Sequence, residues 1–165
     1  MKGAALHRED AAGAPEGLET FLTYRLHLLN KLTDRATDSR FAQNLGISLS
    51  DARCVAAIGH FGALSVNALA LRANLDKSQA SRAAESLVQR GVLAKTTAPH
   101  DQRSVELSLT TVGKALYRRV IRIAGERNDE VFGCLSAQER GQFEHLLGRL
   151  IAAARERVGG GHGDA

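Results

Sequence analysis

Aromatic residues are scarce in this sequence of 165 residues. They make up 4% of the chain, tryptophan is absent, and there are only two prolines. The core must therefore be built from leucine, alanine, valine and isoleucine, which supply most of the 44% hydrophobic residues. This mixture favours helices over a β-sandwich. The length suits one domain, or a small domain with an added dimerisation element.

Long hydrophobic runs are also missing. No apolar stretch approaches the ~18 residues that a membrane-spanning helix needs. Residues 1–17 are rich in alanine, glycine and charge, and they lack the apolar centre of a secretion signal. We therefore expect a cytoplasmic protein without a membrane partner.

Cysteine is rare, and its two positions, Cys54 and Cys134, match no metal-ligand spacing. Both fall within apolar helical patterns, so we expect buried thiols in a reducing cytosol. The alternative is a redox sensor that uses one of these thiolates. The nearest cation, Arg53, is adjacent to Cys54 in sequence, and adjacent residues on a helix do not face each other.

Signatures of catalysis are missing as well. There is no glycine-rich phosphate loop, no paired-acid motif and no metal-ligand cluster, and His60, His100 and His145 share no ligand spacing. We expect neither an enzyme nor a cofactor. Lysine and arginine outnumber aspartate and glutamate by 22 to 18, which is compatible with a nucleic-acid partner without requiring one.

The apolar periodicity predicts a series of helices. The first helix runs from Leu18 to about Ala42, and Gly46 fits the turn that ends it. Ser48 with Asp51, Ser65, and Asp76 with Gln79 are typical helix starts. They predict three further helices, over residues 49–60, 66–73 and 77–90.

After residue 91, the spacing of apolar residues changes to the two-residue alternation of β-strands. Residues 92–97 and 104–109 alternate around a polar turn, 98–103, and predict a β-hairpin. Thr110 begins a long helix to about Leu135, and Ser136 with Glu139 begins another to about Val158. The expected fold is mainly α with a small β-hairpin wing.

A short helix, a tight turn at Leu75 and Asp76, and a helix with small inward residues are typical of a helix-turn-helix. The second helix must enter a major groove about 12 Å wide, and it carries polar outward residues that suit DNA. These are Lys77, Ser78, Gln79, Ser81, Arg82, Glu85 and Gln89. Such a face also occurs on ordinary solvated helices, so the hairpin matters more.

The hairpin adds Arg103 near its tip, where a guanidinium group can enter the narrow minor groove. Asp101 can hold that arginine or the tip in place, although the two residues could also form a simple surface ion pair. A winged-helix module that binds only proteins is a further alternative for this arrangement.

Several segments stand in a characteristic order and spacing: Leu64-Ser65, Leu69-Ala70, Asp76 to Arg82 and Leu87 to Leu93, followed by the most specific parts, Asp101-x-Arg103 and Leu109-Thr110-x-x-Gly113. Over about Leu18 to Val158, the sequence resembles the multiple-antibiotic-resistance regulator (MarR) family. The resemblance implies that Ser78, Gln79, Ser81 and Arg82 occupy recognition-helix positions and that Arg103 is the wing arginine. Lys95 stands where the family usually has arginine, which keeps the charge and weakens any bidentate phosphate contact.

The resemblance also implies a homodimer whose interface is formed by the first and the last two helices. The amount of apolar surface on these helices favours the same assembly. A two-fold dimer predicts a pseudo-palindromic double-stranded DNA operator. The expected organisation is a tail at 1–17, a dimerisation helix at 18–46, a winged helix-turn-helix domain at 47–109, dimerisation helices at 110–158 and a tail at 159–165.

Repression is the mode of action that the resemblance implies, with release by a small phenolic or aromatic carboxylate effector. Candidate ligand-binding residues on the first two helices are Tyr24, Arg25, His27, Arg53 and His60. Arg25 lies within an apolar stripe and needs a partner. An anionic ligand and a carboxylate on another helix, such as Glu130 or Glu144, are equally suitable partners.

Overall fold

The computed structural model describes residues 17–98 and 101–159, and only the backbone for residues 97–98, 101–104 and 159. A short 3₁₀ helix, Leu18–Thr20, precedes six α-helices and two strands. These are α1 (Leu22–Leu45), α2 (Leu49–Phe61), α3 (Val66–Ala73), α4 (Lys77–Gln89), β1 (Leu93–Ala98), β2 (Asp101–Leu109), α5 (Thr111–Phe132) and α6 (Ala137–Gly159). The predicted class, mainly α with a hairpin wing, is confirmed.

The chain divides into two compact units, with the boundary between Ala36 and Thr37 inside α1. Within the first unit, most leucines of residues 17–36 are exposed in the single chain. The second unit contains the remaining elements and the buried core. Among the described helices, none combines the length and apolar character that crossing a membrane requires. The predicted tails lie outside the described residues, except for Gly17 and Gly159.

The core of the second unit lies where α2, α3, α4, α5 and β2 meet. Each of these elements supplies one or two of the largest fully buried side chains: Cys54 and Val55, Leu69, Leu87, Val120 and Leu107. The inner face of α4 consists of Ala80, Ala83, Ala84 and Leu87. Because alanine side chains are short, α4 packs close to α2 and α3.

The predicted helix starts are confirmed by their hydrogen bonds. Ser48 and Asp51 form a reciprocal capping box at α2, and Asp76 and Gln79 form another at α4. The side chain of Ser65 accepts the Ala68 N–H at the start of α3. Each cap satisfies donors that a helix N-terminus leaves without intrahelical partners.

The wing is an antiparallel pair in which Leu93 faces Leu109 and Lys95 faces Leu107. A bridge from Leu107 to Leu64 joins the wing to the segment before α3. The predicted extent of the turn, residues 98–103, is wrong, because β1 continues through Ala98 and β2 already begins at Asp101.

The register explains this difference. Thr97 pairs with Val105 but Ala98 pairs with Asp101, so residues 102–104 form an irregularity on β2 that β1 does not match. A bulge of this kind lets a strand continue through polar residues that a sequence pattern assigns to a turn.

The start of α5 is attached to the start of the wing. The Thr110 hydroxyl donates to the Gly91 carbonyl (2.7 Å) and accepts the Gly113 N–H (3.1 Å), and the Thr110 N–H donates to the Val92 carbonyl. Gly91, with φ of +69°, makes the turn between α4 and the wing. Gly113 faces the Val92 carbonyl oxygen so closely that a Cβ atom would overlap it.

The two thiols differ from each other. Cys54 is fully buried in α2, as predicted. Burial, with the nearby negative charge of Asp51, raises the pKa of the Cys54 thiol to about 12. The prediction for Cys134 is wrong, since this residue is exposed. The reason is that α5 ends at Phe132, before the expected Leu135, and Gly133 and Cys134 lie in the turn that follows.

We expect Gly113→Ala to lower the free energy of unfolding by roughly 1–3 kcal/mol, the usual cost of overpacking, because the new methyl group meets backbone. The matched control is Gly125→Ala on the same helix, where nothing beyond the local backbone of the helix lies within 4 Å of the position that a Cβ atom would take. That variant should be more stable by up to about 1 kcal/mol. Denaturant titration measures both, and equal effects of the two substitutions would contradict the close approach.

We expect the buried thiol to resist alkylation in the folded protein, because a group with a pKa near 12 is almost entirely protonated at neutral pH. Intact-mass measurement after maleimide treatment should find one label on the wild type and none on Cys134→Ser. Both should gain one further label after unfolding in guanidinium. Labelling of folded Cys134→Ser would show that Cys54 is accessible.

Candidate nucleic-acid interface

The polar face of α4 points away from the core. Ser78, Arg82, Glu85 and Gln89 lie opposite the buried alanines and are exposed. Lys77 and Gln79 are also exposed, while Ser81 is half-buried at the edge of this face. The structure thus presents five of the predicted DNA-contacting residues on or beside one helix surface: Lys77, Ser78, Gln79, Ser81 and Arg82.

Three of these residues, Ser78, Gln79 and Arg82, have partners on α4 or at its start. The Arg82 Nη1 atom donates to the Ser78 hydroxyl at 2.7 Å, which holds the guanidinium group one turn back toward the helix start. The Gln79 Oε1 atom accepts the Asp76 N–H at 3.2 Å as half of the capping box. A bidentate contact with adenine uses the same oxygen, so that contact would compete with the capping box for Gln79.

An open cleft of about 390 Å³ lies between the start of α2 and this face of α4. Its lining is mostly polar and consists of Ser48, Ser50, Asp51, Gln79, Arg82, Ala83 and Ser86. Sequence analysis did not select Ser50 or Ser86. Ser86 follows Arg82 by one helical turn, and this spacing could have indicated it. Ser50 is brought here by tertiary packing alone.

The wing residues are described in different detail. Lys95 is exposed on β1. The backbones of Asp101 and Arg103 belong to β2, where Arg103 falls within the irregular stretch 102–104. Their side chains, and with them the predicted contact between Asp101 and Arg103, lie outside the described part of the structure.

The predicted ligand-binding residues fall into both units. Tyr24, Arg25 and His27 are exposed on the first half of α1, in the unit that ends at Ala36. The Arg25 Nε atom donates to the Glu19 carbonyl oxygen at 2.8 Å. In the single chain the Arg25 guanidinium thus has a nearby backbone carbonyl as a partner, and the anionic partner expected for it, a ligand or a carboxylate, stays a prediction.

Of the carboxylates that were considered as partners of Arg25, Glu130 forms ion pairs with Arg40, at 2.7 Å, and with Arg127. Hydrogen bonds from these two arginines lower the pKa of Glu130 below its ordinary value of 4.5. Glu130 therefore stays ionised to a lower pH than an ordinary glutamate, and its ion pairs link α1 to α5.

Arg53 and His60 lie two turns apart on α2. Arg53 is half-buried, and His60 is exposed next to the helix end. The His60 ring meets the Phe61 ring edge to face at a centroid distance of 4.6 Å. The Arg72 guanidinium lies 4.5 Å from the same Phe61 ring, so a histidine and an arginine share one exposed aromatic ring.

Comparison with known proteins agrees with this geometry. The sequence model of the MarR family matches residues 45–104. The HTH-type transcriptional regulator BilQ of Clostridium symbiosum is 31% identical over 108 residues, which cover 66% of this chain and 75% of BilQ.

Solved structures show the same fold. A MarR family regulator from Silicibacter pomeroyi is 27% identical with a TM-score of 0.71, covering 83% of this chain and 92% of the regulator. Bordetella bronchiseptica BpsR has a TM-score of 0.74 at 21% identity, covering 83% and 97%. A single-residue mutant of Escherichia coli MarR in complex with operator DNA has a TM-score of 0.69 at 24% identity, covering 78% and 92%. The chain is therefore a member of the MarR family of winged-helix, DNA-binding transcriptional regulators, and it is not an enzyme.

Proposed function

We propose that this protein is a homodimeric, sequence-specific repressor that a small aromatic carboxylate or phenolic ligand releases from its operator. The observation that carries the proposal is the outward face of α4, where Ser78 holds the exposed Arg82 guanidinium on a helix that small residues keep close to the core. A guanidinium held in this way is suited to the O6 and N7 atoms of guanine.

The position of the wing supports the same function. Its base is fixed to α5 through Thr110, and β2 carries Arg103 beyond that base. Lys95 on β1 adds an exposed cation suited to a phosphate. E. coli MarR, whose fold this chain shares, has been solved with operator DNA, which supports duplex DNA as the partner.

Dimer formation is supported by apolar surface that one chain leaves uncovered. In the first unit, Leu18, Leu22 and Leu32 are each more than 60% exposed, and on α6 Leu150 and Val158 are 59% and 75% exposed. Exposed apolar surface of this extent favours burial against another chain. The two chains of a two-fold dimer would present their α4 helices to successive major grooves, so the operator should be a pseudo-palindrome.

We expect Arg82→Ala to reduce the preference for the operator over unrelated DNA by about tenfold. Arg103→Ala should weaken binding to every duplex by about tenfold. Fluorescence anisotropy with DNA from upstream of the protein's own gene, at several salt concentrations, measures affinity, salt slope and a stoichiometry of two chains per operator. Arg122→Ala is the control, because it removes one exposed charge from α5. Absence of any salt-sensitive binding by the wild type would favour the protein-binding module instead.

Release by an aromatic acid is supported by BpsR, in which 6-hydroxynicotinic acid regulates DNA binding. Five residues of this chain have suitable chemistry for such a ligand, with cations for the carboxylate and a phenol for the ring: Tyr24, Arg25, His27, Arg53 and His60. The alternative thiol-based control gains no support from Cys54, because burial raises the pKa of that thiol to about 12.

We expect a hydroxynicotinate-, benzoate- or cinnamate-like acid to raise the melting temperature and to dissociate the protein from DNA. At 100 times its dissociation constant, a ligand stabilises the folded state by about 2.7 kcal/mol. Arg25→Ala should abolish this response and keep DNA binding, whereas Lys31→Ala, the control on the same helix, should keep both. A response that Arg25→Ala leaves unchanged would remove Arg25 from the site.

A further inference from the structure

The corner between α1 and α2 receives arginines from two other helices. The Arg119 Nη2 atom of α5 donates to the Asn44 carbonyl oxygen at 3.0 Å. The Arg90 Nη2 atom, at the end of α4, donates to the Gly46 carbonyl oxygen at 3.2 Å. The last carbonyl groups of a helix lack intrahelical partners, so charged donors suit this position.

Arg90 also reaches the start of α2. Its Nη1 atom lies 3.8 Å from the Asp51 Oδ2 atom. Asp51 is only 8% exposed, and its carboxylate accepts the Ser48 N–H within the capping box. A carboxylate with so little solvent access benefits from a nearby cation. Arg90 thus connects the end of α4 to the end of α1 and to the start of α2.

This connection matters because three of the four buried residues on the inner face of α4 are alanines. Their short side chains interlock less with neighbours than longer ones do, so Leu87 is the single long side chain of this face that packs into the core. The first turn is fixed by the capping box of Asp76 and Gln79. At the other end, Arg90 joins α4 to the corner by charged and hydrogen-bonded contacts.

We propose that Arg90 is a positioning residue that sets recognition helix α4 against the α1–α2 corner, and that Arg119 joins α5 to the same corner, so that a displacement of α5 reaches α4 through Asn44 and Gly46. The proposal rests on the proposed function in one respect, that α4 reads DNA. It adds a residue that acts on affinity without touching the duplex.

A positioning role and a direct phosphate contact differ in salt dependence. Removing a phosphate contact reduces the slope of log affinity against log salt concentration by about 0.9. Moving the whole helix leaves the number of phosphate contacts, and therefore the slope, unchanged. We expect Arg90→Met to weaken operator binding about tenfold, as loss of a charged hydrogen bond would, with the slope unchanged. Arg90→Lys keeps the charge and loses the forked contact, so it should recover part of the affinity.

The control is Arg122→Met, which removes the same charge from an exposed position on α5 where the partner is Glu126. It should bind like the wild type. Arg119→Met should weaken binding less than Arg90→Met, and the double variant should lose less than the product of the two single losses, because both arginines act on one corner.

Amide hydrogen exchange of the free protein supplies a readout that needs no DNA. In Arg90→Met, residues 77–89 and the amide of Gly46 should exchange faster, while α6 should not change. A wild type that fails to bind operator DNA would remove the proposed function and leave this measurement decisive for Arg90. Unchanged exchange in α4, unchanged affinity, or a salt slope lowered by about one would each overturn the positioning role.

Discussion

The alanine face of α4 is the constraint on which the arrangement of this protein depends. Ala80, Ala83 and Ala84 let the helix lie close to α2 and α3, but they offer few interlocking side chains that would fix its position along its axis. Leu87 is the one long side chain on this face, and polar groups at the helix ends add to it. The capping box of Asp76 and Gln79 fixes the first turn, and Arg90 fixes the last residue to the corner that precedes α2.

The wing follows the same principle, since it is fixed at one end. Thr110 donates hydrogen bonds to the Gly91 and Val92 carbonyl groups, and Gly113 lies close to the Val92 carbonyl. These contacts couple the base of the hairpin to the first turn of α5. Farther along, the pairing of the strands is interrupted at residues 102–104. Arg103 thus lies in the stretch where the pairing is interrupted, a position that would suit the minor-groove contact proposed for it.

Features that depend on neighbours in sequence could be predicted, and features that depend on distant contacts could not. The capping boxes join residues three positions apart, so Ser48 with Asp51 and Asp76 with Gln79 are readable from residue type alone. The contact of Arg90 with Gly46 joins residues 44 positions apart and has no local signature. The exposure of Cys134 had a local signal, Gly133, which indicates a helix end but was outweighed by the surrounding apolar pattern.

Helix α5 meets each of these parts at a different point along its 22 residues. Its first turn holds the wing, and Arg119 reaches the end of α1. Near its end, Glu130 and Arg127 bind Arg40 and Thr37 on α1. Because hydrogen bonds from Arg40 and Arg127 lower the pKa of Glu130, this last link persists to a more acidic pH than an ordinary glutamate would allow. Under the positioning role proposed for Arg90 and Arg119, a displacement of α5 would act on the wing through its first turn and on α4 through the α1–α2 corner.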